Sequence, residues 1–380
     1  MTKKLFTAIG LMSGTSLDGV DLSIIRSDGY DEFTGILDNY YKFDDKLHKS
    51  IADLRGKILN QKDLVVHSNE LESLEREITL FHGKIINEIL NDYNGNIDLI
   101  GFHGQTIYHN SDDKISKQLG DGKLLSQLTK KIVINNFRQK DLENNGQGAP
   151  LTPIFHKTIS KIIFQKHKIN FPINIINIGG ISNATIVSEN DTELNFKAND
   201  IGPGNCLIDE WVRKNSKYKF DENGNIGKSG KINELILNQA KENFVISSYE
   251  KSLDVNDFDL SFVRGLSLED GCATITDFTS YLISNGLEYI NSSNKINPGY
   301  FLLSGGGRKN IYLIELIKKY LSNTNIKLNN IDEFGFDGDF IESQAFGYLA
   351  IRTFLGLPIS FPKTTRCKNP TVGGEINKNF

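Results

Sequence analysis

Apolar residues in this chain fall in short runs separated by glycine-rich polar turns. Residues 7–12 and 20–25 read as two strands. The turn that joins them begins inside the first run, as Gly10-Leu11-Met12-Ser13-Gly14-Thr15-Ser16-Leu17-Asp18-Gly19. A second instance places Gly179-Gly180-Ile181-Ser182-Asn183 between strand patterns at 173–178 and 184–187. In a third, residues 300–303 lead through Ser304-Gly305-Gly306-Gly307-Arg308-Lys309-Asn310 into a helical pattern over 311–321. Small residues let backbone N–H groups come close to an anion, and a nest of such donors binds phosphate. One such turn is an ordinary hairpin; two similar hairpins half a chain apart imply a duplicated domain, each half offering a phosphate-gripping loop to a central cleft. The triple glycine opening a helix suits a nucleotide.

Between these turns the periodicity alternates. Residues 45–90 are helical, with Leu71, Leu74, Ile78, Phe81, Ile85, Ile86 and Ile89 on one stripe. A short buried strand at 96–102 runs into His103-Gly104-Gln105-Thr106-Ile107-Tyr108-His109, polar groups at a strand's C-terminal end, where open α/β folds put their chemistry. A helix at 124–128, a strand at 131–135, a flexible stretch at 144–150 and a helix at 152–168 follow. The pattern divides the chain into an N-terminal lobe at 1–172 and a C-terminal lobe at 173–342. A final helix and tail at 343–380 pack back towards the first lobe. Helices are expected in the second half at 205–214, 232–243 and 268–285.

Composition narrows the class. A chain of 380 residues is long enough for two cores. Its 43 Lys and Arg against 47 Asp and Glu, with both signs interspersed, leave no basic footprint for nucleic acid. The three cysteines, Cys206, Cys272 and Cys367, fit neither a disulfide framework nor a zinc site, so a reducing cytoplasm is expected. Lys3-Lys4 before an apolar run imitates a signal peptide, but cleavage near Ser13 would remove the first strand of the hairpin, so residues 5–12 read as mature. No apolar stretch approaches the roughly 20 residues of a membrane span.

Several side chains could carry chemistry. Asp200 ends a strand before the tight turn Ile201-Gly202-Pro203-Gly204-Asn205, with Asn205 as cap of the next helix. It reads equally as a general base aimed into a cleft or as an Asx-turn aspartate. Arg138 could grip a substrate carboxylate or form a surface pair with Asp141. Glu342, just before the final helix, could hold a sugar hydroxyl or favour the helix N-terminus. His103 and His109 lack metal-ligand spacing and read as hydrogen-bonded histidines. Asp18 and Asp21 could position Mg²⁺ through waters. The Walker-like Gly224-Asn225-Ile226-Gly227-Lys228-Ser229 has the wrong glycine spacing and reads as a polar loop.

The ordered set GLMSGTSLDGVD (10–21), GFHGQTIYH (101–109), QLGDG (118–122), GQGAPLTPIFH (146–156), NIGGISN (177–183), DIGPGNCLID (200–209), LSGGG (303–307) and ESQAFGYLA (342–350) resembles the 1,6-anhydro-N-acetylmuramic acid kinase family over nearly the whole chain. That resemblance implies an α/β, actin-like fold of two duplicated RNase H-like lobes clamping ATP and Mg²⁺. The reaction it implies opens a 1,6-anhydro sugar with water and phosphorylates O6, in cell-wall recycling. Asp200 matches the family's general base, and Gln105, Thr106, Arg138 and Glu342 match its sugar-site positions. We expect the nucleotide at Gly10, Ser13, Gly14, Thr15, Ser16, Asp18, Gly19, Gly179, Gly180, Ser182, Asn183, Gly305, Gly306 and Gly307, with Asp18 reaching the metal through water. A cytoplasmic homodimer with a small sugar substrate is implied, without nucleic acid or membrane. Three departures stand out: Asn136 where the family usually has Asp, Lys251-Ser252-Leu253-Asp254-Val255 without the usual Gly-Arg, and Arg366 where a glycine could use positive φ. Another actin-fold hexose or amino-sugar kinase, or a non-catalytic ATP or muropeptide sensor, are the competing readings.

Overall fold

The structure, a computed structural model, describes residues 4–380 apart from 15, 190–193, 245, 247–248, 250–252, 254 and 295–298. Thr15 of the first glycine turn, and Lys251, Ser252 and Asp254 of the second departure, therefore lie outside the described residues.

In chain order the elements are β1 (Phe6–Ser13), β2 (Gly19–Ser27), β3 (Phe33–Lys42), α1 (Asp45–Lys57), α2 (Gln61–Val66), α3 (Ser68–Asp92), β4 (Leu99–Asn110), β5 (Ile115–Leu119), α4 (Gly122–Thr129), β6 (Ile132–Asn135), α5 (Gln139–Glu143) and α6 (Pro153–His167). The second half adds β7 (Ile173–Ile178), β8 (Ile181–Glu189), β9 (Leu194–Pro203), α7 (Cys206–Asn215), α8 (Asn225–Ser229), α9 (Glu234–Asn243) and α10 (Leu268–Ser293). It continues through β10 (Gly299–Ser304), α11 (Ile311–Tyr320), β11 (Ile326–Asn330), α12 (Ile341–Phe354), α13 (Pro362–Thr365) and β12 (Glu375–Asn377). Contacts group them into two units, Met1–Ile162 with Phe340–Phe380, and Ile163–Asp339.

The two sheets repeat one another. In the first unit the order is β12-β6-β4-β1-β2-β3, with β5 paired to β4. In the second it is β11-β10-β7-β8-β9. Each holds an antiparallel meander, β1-β2-β3 or β7-β8-β9, whose first strand pairs in parallel with a later strand, β4 or β10. That strand pairs in parallel with the next, β6 or β11. This is the RNase H-like strand order, occurring twice.

Local chemistry explains the boundaries. α1 starts where Asp44 accepts the Leu47 N–H at 2.8 Å, and α4 where Asp121 accepts from Lys123 and Leu124, caps worth about 1 kcal/mol each. The apolar stripe of α3 lies in the core of the first unit, with Phe81 partly covered. Fully burying each such isoleucine or leucine contributes roughly 1.5–3 kcal/mol.

Several sequence readings change. The polar segment after residue 102 continues as strand to Asn110, because β5 supplies an antiparallel partner, pairing Thr106 with Gln118 and His109 with Ser116. Glu342 lies inside the first turn of α12 rather than before it. Asn205 occupies the N-cap position of α7, but its side chain makes no capping bond. The Walker-like stretch is helix rather than loop: Gly224 caps α8, which takes up Asn225–Ser229, and its Ile226 and Gly227 N–H groups donate to the buried Asp221 carboxylate at 2.7 and 3.0 Å. That side chain occupies the donors a phosphate would need.

α12 lies directly on the sheet of its unit. A Cβ on Gly10 would stand 1.9 Å from the Ser343 carbonyl oxygen and 2.4 Å from the Gly347 nitrogen, and one on Gly101 2.2 Å from the Phe346 oxygen. All of these are backbone atoms and cannot rotate away. Gly10→Ala should therefore cost about 1–3 kcal/mol or more, read as a lower urea midpoint. Gly56→Ala in α1, where a Cβ meets nothing within 4 Å, should cost nothing. Equal midpoints for the two variants would remove the close approach as a constraint.

Candidate active site

Both halves place their glycine turns at the C-terminal ends of adjacent parallel strands, where open α/β sheets bind ligands. At the end of β1, Ser13 Oγ lies 2.8 Å from the Gly19 carbonyl oxygen and 2.6 Å from Gln105 Oε1. Gln105 Nε2 donates to the Gly14 carbonyl at 3.1 Å. The structure thus joins a residue expected at the sugar to the tip of the first glycine turn. A bulge makes this possible: Leu11 pairs with Phe102 but Ser13 with Gln105, and Gly104 takes φ 74°.

Within that turn Leu17 adopts φ 60° with its side chain in the core, so burial of the leucine holds a backbone conformation that L-residues avoid. The Ser16 hydroxyl donates to Asp18 Oδ1. Burial, with the Asp18 and Asp21 carboxylates nearby, pushes the Tyr40 hydroxyl well above its ordinary value. Asp21 itself is part of β2, opposite Met12 and Tyr40. Gly10 and Gly19 owe their missing side chains to packing, a Cβ on Gly19 meeting the Tyr41 oxygen at 2.4 Å. Gly14 does not: its nearest neighbour would be 3.8 Å away.

Arg138 caps no surface pair. Its Nε and Nη2 donate to His103 Nε2 at 3.2 and 2.9 Å, and Nη1 to the Gly148 carbonyl at 2.8 Å. His103 Nδ1 faces the Gly104 carbonyl at 2.7 Å, so the ring is neutral with its proton on Nδ1. Burial and then the Arg138 charge hold His103 far below the usual histidine range. Burial also draws down the Arg138 guanidinium, opposed by the Glu342 and Asp141 carboxylates, which shows that Glu342 lies within its field. Asp141, expected on the surface, is fully buried and accepts from Gly148 N and Thr365 Oγ1, both at 2.7 Å. Its own carbonyl accepts from Gly146 N at 2.8 Å, so the stretch at 144–150 is tied rather than loose. Thr106 Oγ1 accepts from Gln118, its partner across the β4–β5 hairpin, at 3.2 Å.

In the second unit the Gly179 and Gly180 carbonyls accept from Asn205 and Gly204 at 2.7 and 2.8 Å, and Ser182 Oγ donates to the Pro203 carbonyl at 3.1 Å. Asp200 does not end its strand: β9 runs on to Pro203 past a bulge, with Asp200 opposite Asn183 and Gly202 opposite Ser182. Its Oδ2 accepts the Leu253 N–H at 2.9 Å, while the Leu253 side chain packs on the core of the second unit. Ser304 is in register with Asn177, which brings Gly305–Gly307 beside the Gly179 turn. Gly305 and Gly307 are pressed against Ile178, while Cβ atoms on Gly306 and Gly179 would meet nothing nearer than 3.6 Å. Gly14, Gly179 and Gly306 are therefore bare where packing does not demand it, which fits close approach by phosphate. Among the described residues no group of three or more metal-ligating side chains occurs, and Mg²⁺ needs only a carboxylate or two beside phosphate oxygens.

The remaining departures have local partners. Asn136, at φ 53°, donates to Glu375 Oε1 at 2.7 Å, and Arg366 takes φ 64° as the C-cap of α13, the conformation a glycine would favour. Sequence reading missed His103 as the partner of Arg138, and missed Arg308. The latter is bonded by Asp332, Asp337 and Asp339, and the acidic, glycine-containing run 332–339 was the available signal.

Twin RNase H-like units with glycine turns at the ends of their parallel strands define an actin-like phosphotransfer protein. The profile of the anhydro-N-acetylmuramic acid kinase family matches residues 6–379, and the chain belongs to that family. A curated anhydro-N-acetylmuramic acid kinase from Pelagibacter ubique is 50% identical over 380 residues, covering all of both chains. Those from Brucella canis and Zymomonas mobilis are each 34% identical, over 375 and 376 residues, covering 97% of this chain and 97% and 99% of theirs. Two solved structures, the activator of the 2-hydroxyisocaproyl-CoA dehydratase from Clostridium difficile and the (R)-2-hydroxyglutaryl-CoA dehydratase component A from Acidaminococcus fermentans, align with 91% of this chain at 12% identity, covering 94% and 98% of theirs. Their TM-scores are 0.36 and 0.38, too remote to bear on fold or function. The chain is an ATP-dependent kinase.

The buried histidines set an acid limit. Burial lowers His82 to about 4 and His156 to about 3, and His103 is held low as well. Their unfolded value is about 6.5, so above that pH they add no dependence. As pH falls below it, the unfolded chain takes up protons the folded one refuses, and stability drops by up to about 1.4 kcal/mol per pH unit for each. His156→Gln should make the fall between about pH 6 and 4.5 shallower than in the wild type. Denaturant midpoints across that range check this, and an unchanged slope would contradict it.

Proposed function

We propose that this kinase acts on 1,6-anhydro-N-acetylmuramic acid. Water attacks the anomeric carbon, the C1–O6 bond breaks, and O6 takes the γ-phosphoryl group of ATP, giving N-acetylmuramic acid 6-phosphate and ADP. The observation that carries the reading is the register of Asp200 opposite Asn183, which closes the Gly179 turn. A carboxylate there stands beside a phosphate-suited loop, oriented by the Leu253 N–H, and accepts the proton of the attacking water. The bare turns at Gly14, Gly179 and Gly306 fit the nucleotide phosphates, with Ser13, Ser16, Asp18, Gly180, Ser182, Asn183, Gly305 and Gly307 shaping those turns. Mg²⁺, reached by Asp18 through water, would neutralise phosphate charge when bound.

Gln105, Thr106, Arg138 and Glu342 fit the sugar. Arg138 gives one N–H of Nε and of each Nη to His103 and Gly148, which fixes its plane, and the two remaining N–H groups fit a lactyl carboxylate as a pre-aimed fork. The small polar substrate and three free, buried cysteines fit a cytoplasmic enzyme, and a homodimer is the form we propose.

The test runs the protein with ATP, Mg²⁺ and the anhydro sugar in oxygen-18 water. A product with both a phosphoryl group and a labelled anomeric oxygen is expected; phosphorylation without label would point to another sugar kinase activity. Asp200→Asn should fold, bind ADP and lose roughly 10²–10⁴ in turnover, and an unchanged rate would take Asp200 out of the reaction. Arg138→Lys should raise the sugar KM by about tenfold or more with the ATP KM little changed. Equal effects on both would refute its assignment to the sugar.

A further inference from the structure

Arg308 follows the triple glycine directly and, among the described residues of the second unit, is the most heavily bonded cation. Its side chain is only 5% exposed. Nε and Nη2 form a two-point contact with Asp332 at 2.8 and 3.0 Å, and Nη1 meets Asp339 at 2.5 Å. Nη2 also reaches Asp337 at 3.4 Å, while Nη1 reaches back to the Gly305 carbonyl at 3.1 Å. Two further contacts lock the same loops together. Gly305 N donates to the Gly338 carbonyl at 3.0 Å, and a Cβ on Gly338 would stand 2.5 Å from Arg308 Nε. Lys309 pairs with Asp339.

A buried guanidinium with three carboxylates is costly unless every donor is satisfied. Stability alone does not ask for it at the mouth of a glycine loop. Gly306 lies open between Gly305, whose carbonyl Arg308 holds, and Gly307, which packs on Ile178. We infer that Arg308 is a positioning residue for the nucleotide. It clamps Gly305–Gly307 to the acidic 332–339 loop, so that the bare Gly306 backbone is presented in one fixed conformation. The inference rests on the reading that this loop cradles the nucleotide. It adds that nucleotide affinity, not sugar affinity or folding, is what the clamp sets.

Arg308→Lys keeps the charge but loses the planar fork, since one ammonium cannot bridge Asp332, Asp339 and the Gly305 carbonyl together. Direct titration of the full-length protein with ADP by calorimetry should show the Kd rising about tenfold or more. The KM for the anhydro sugar should stay within about twofold, and the circular dichroism spectrum should be that of the wild type. An ADP Kd within about twofold of wild type in the folded variant, or an equal rise in ADP Kd and sugar KM, overturns the clamp. If Arg308→Lys fails to fold, Asp339→Asn decides on the same two numbers. Gly306→Val separates the underlying reading: loss of ADP binding supports a nucleotide loop, and wild-type binding overturns both.

Discussion

The backbone of α12 rests on the backbone of β1 and β4, with no side chains between them at Gly10 and Gly101. This contact sets the depth of the helix on its sheet. Every residue of α12 is buried except Glu342 and Phe354. A polar network then fixes its rotation: Ser23 bonds Asp38 at 2.5 Å and Ser343 at 2.6 Å, and Gln344 donates to both Asp38 oxygens. With depth and rotation set, Phe346 packs on the His103 ring at 4.5 Å and Glu342 falls within the field of Arg138. The charge of a residue some two hundred positions along the chain thus reaches Arg138 from a helix whose depth two missing Cβ atoms set.

The charged groups of the candidate site share a second constraint. A guanidinium out of water needs its donors filled in a fixed geometry. Arg138 meets that need with a histidine that accepts only because it is neutral, and burial keeps it so. Arg308 meets it with carboxylates and a carbonyl of the loop it steadies. In both, the cation holds a stretch of backbone by a carbonyl, that of Gly148 in one unit and that of Gly305 in the other. Rigid presentation of such groups before a substrate arrives is what phosphoryl transfer demands, since the protein contributes positioning and charge rather than covalent chemistry.

The strands at 7–12, 20–25 and 173–178 and the helical stripe of 71–89 were legible because each carries its own periodicity and ends on glycine or a polar cap. The family motifs were legible for the same reason, being contiguous, and so were the glycine turns. What went wrong did so where a partner decides the outcome. Residues 103–110 look like a turn and become strand because β5 pairs with them. Asp200 looks terminal and sits mid-ladder because of a bulge against β8. Asp141 looks exposed and is buried because Thr365, far along the chain, bonds it.

Local order along the chain thus settles element type, duplication and the residue classes available for chemistry, since these depend on neighbours within a few positions. Pairing across distance settles the rest: which nitrogen of His103 holds its proton, which carboxylates enclose Arg308, and which glycines are demanded by packing and which face open space. Gly10 and Gly306 are the same letter in the sequence. One is forced by a helix carbonyl 1.9 Å from where a Cβ would be and the other faces open space, a difference that exists only once the chain has folded around them.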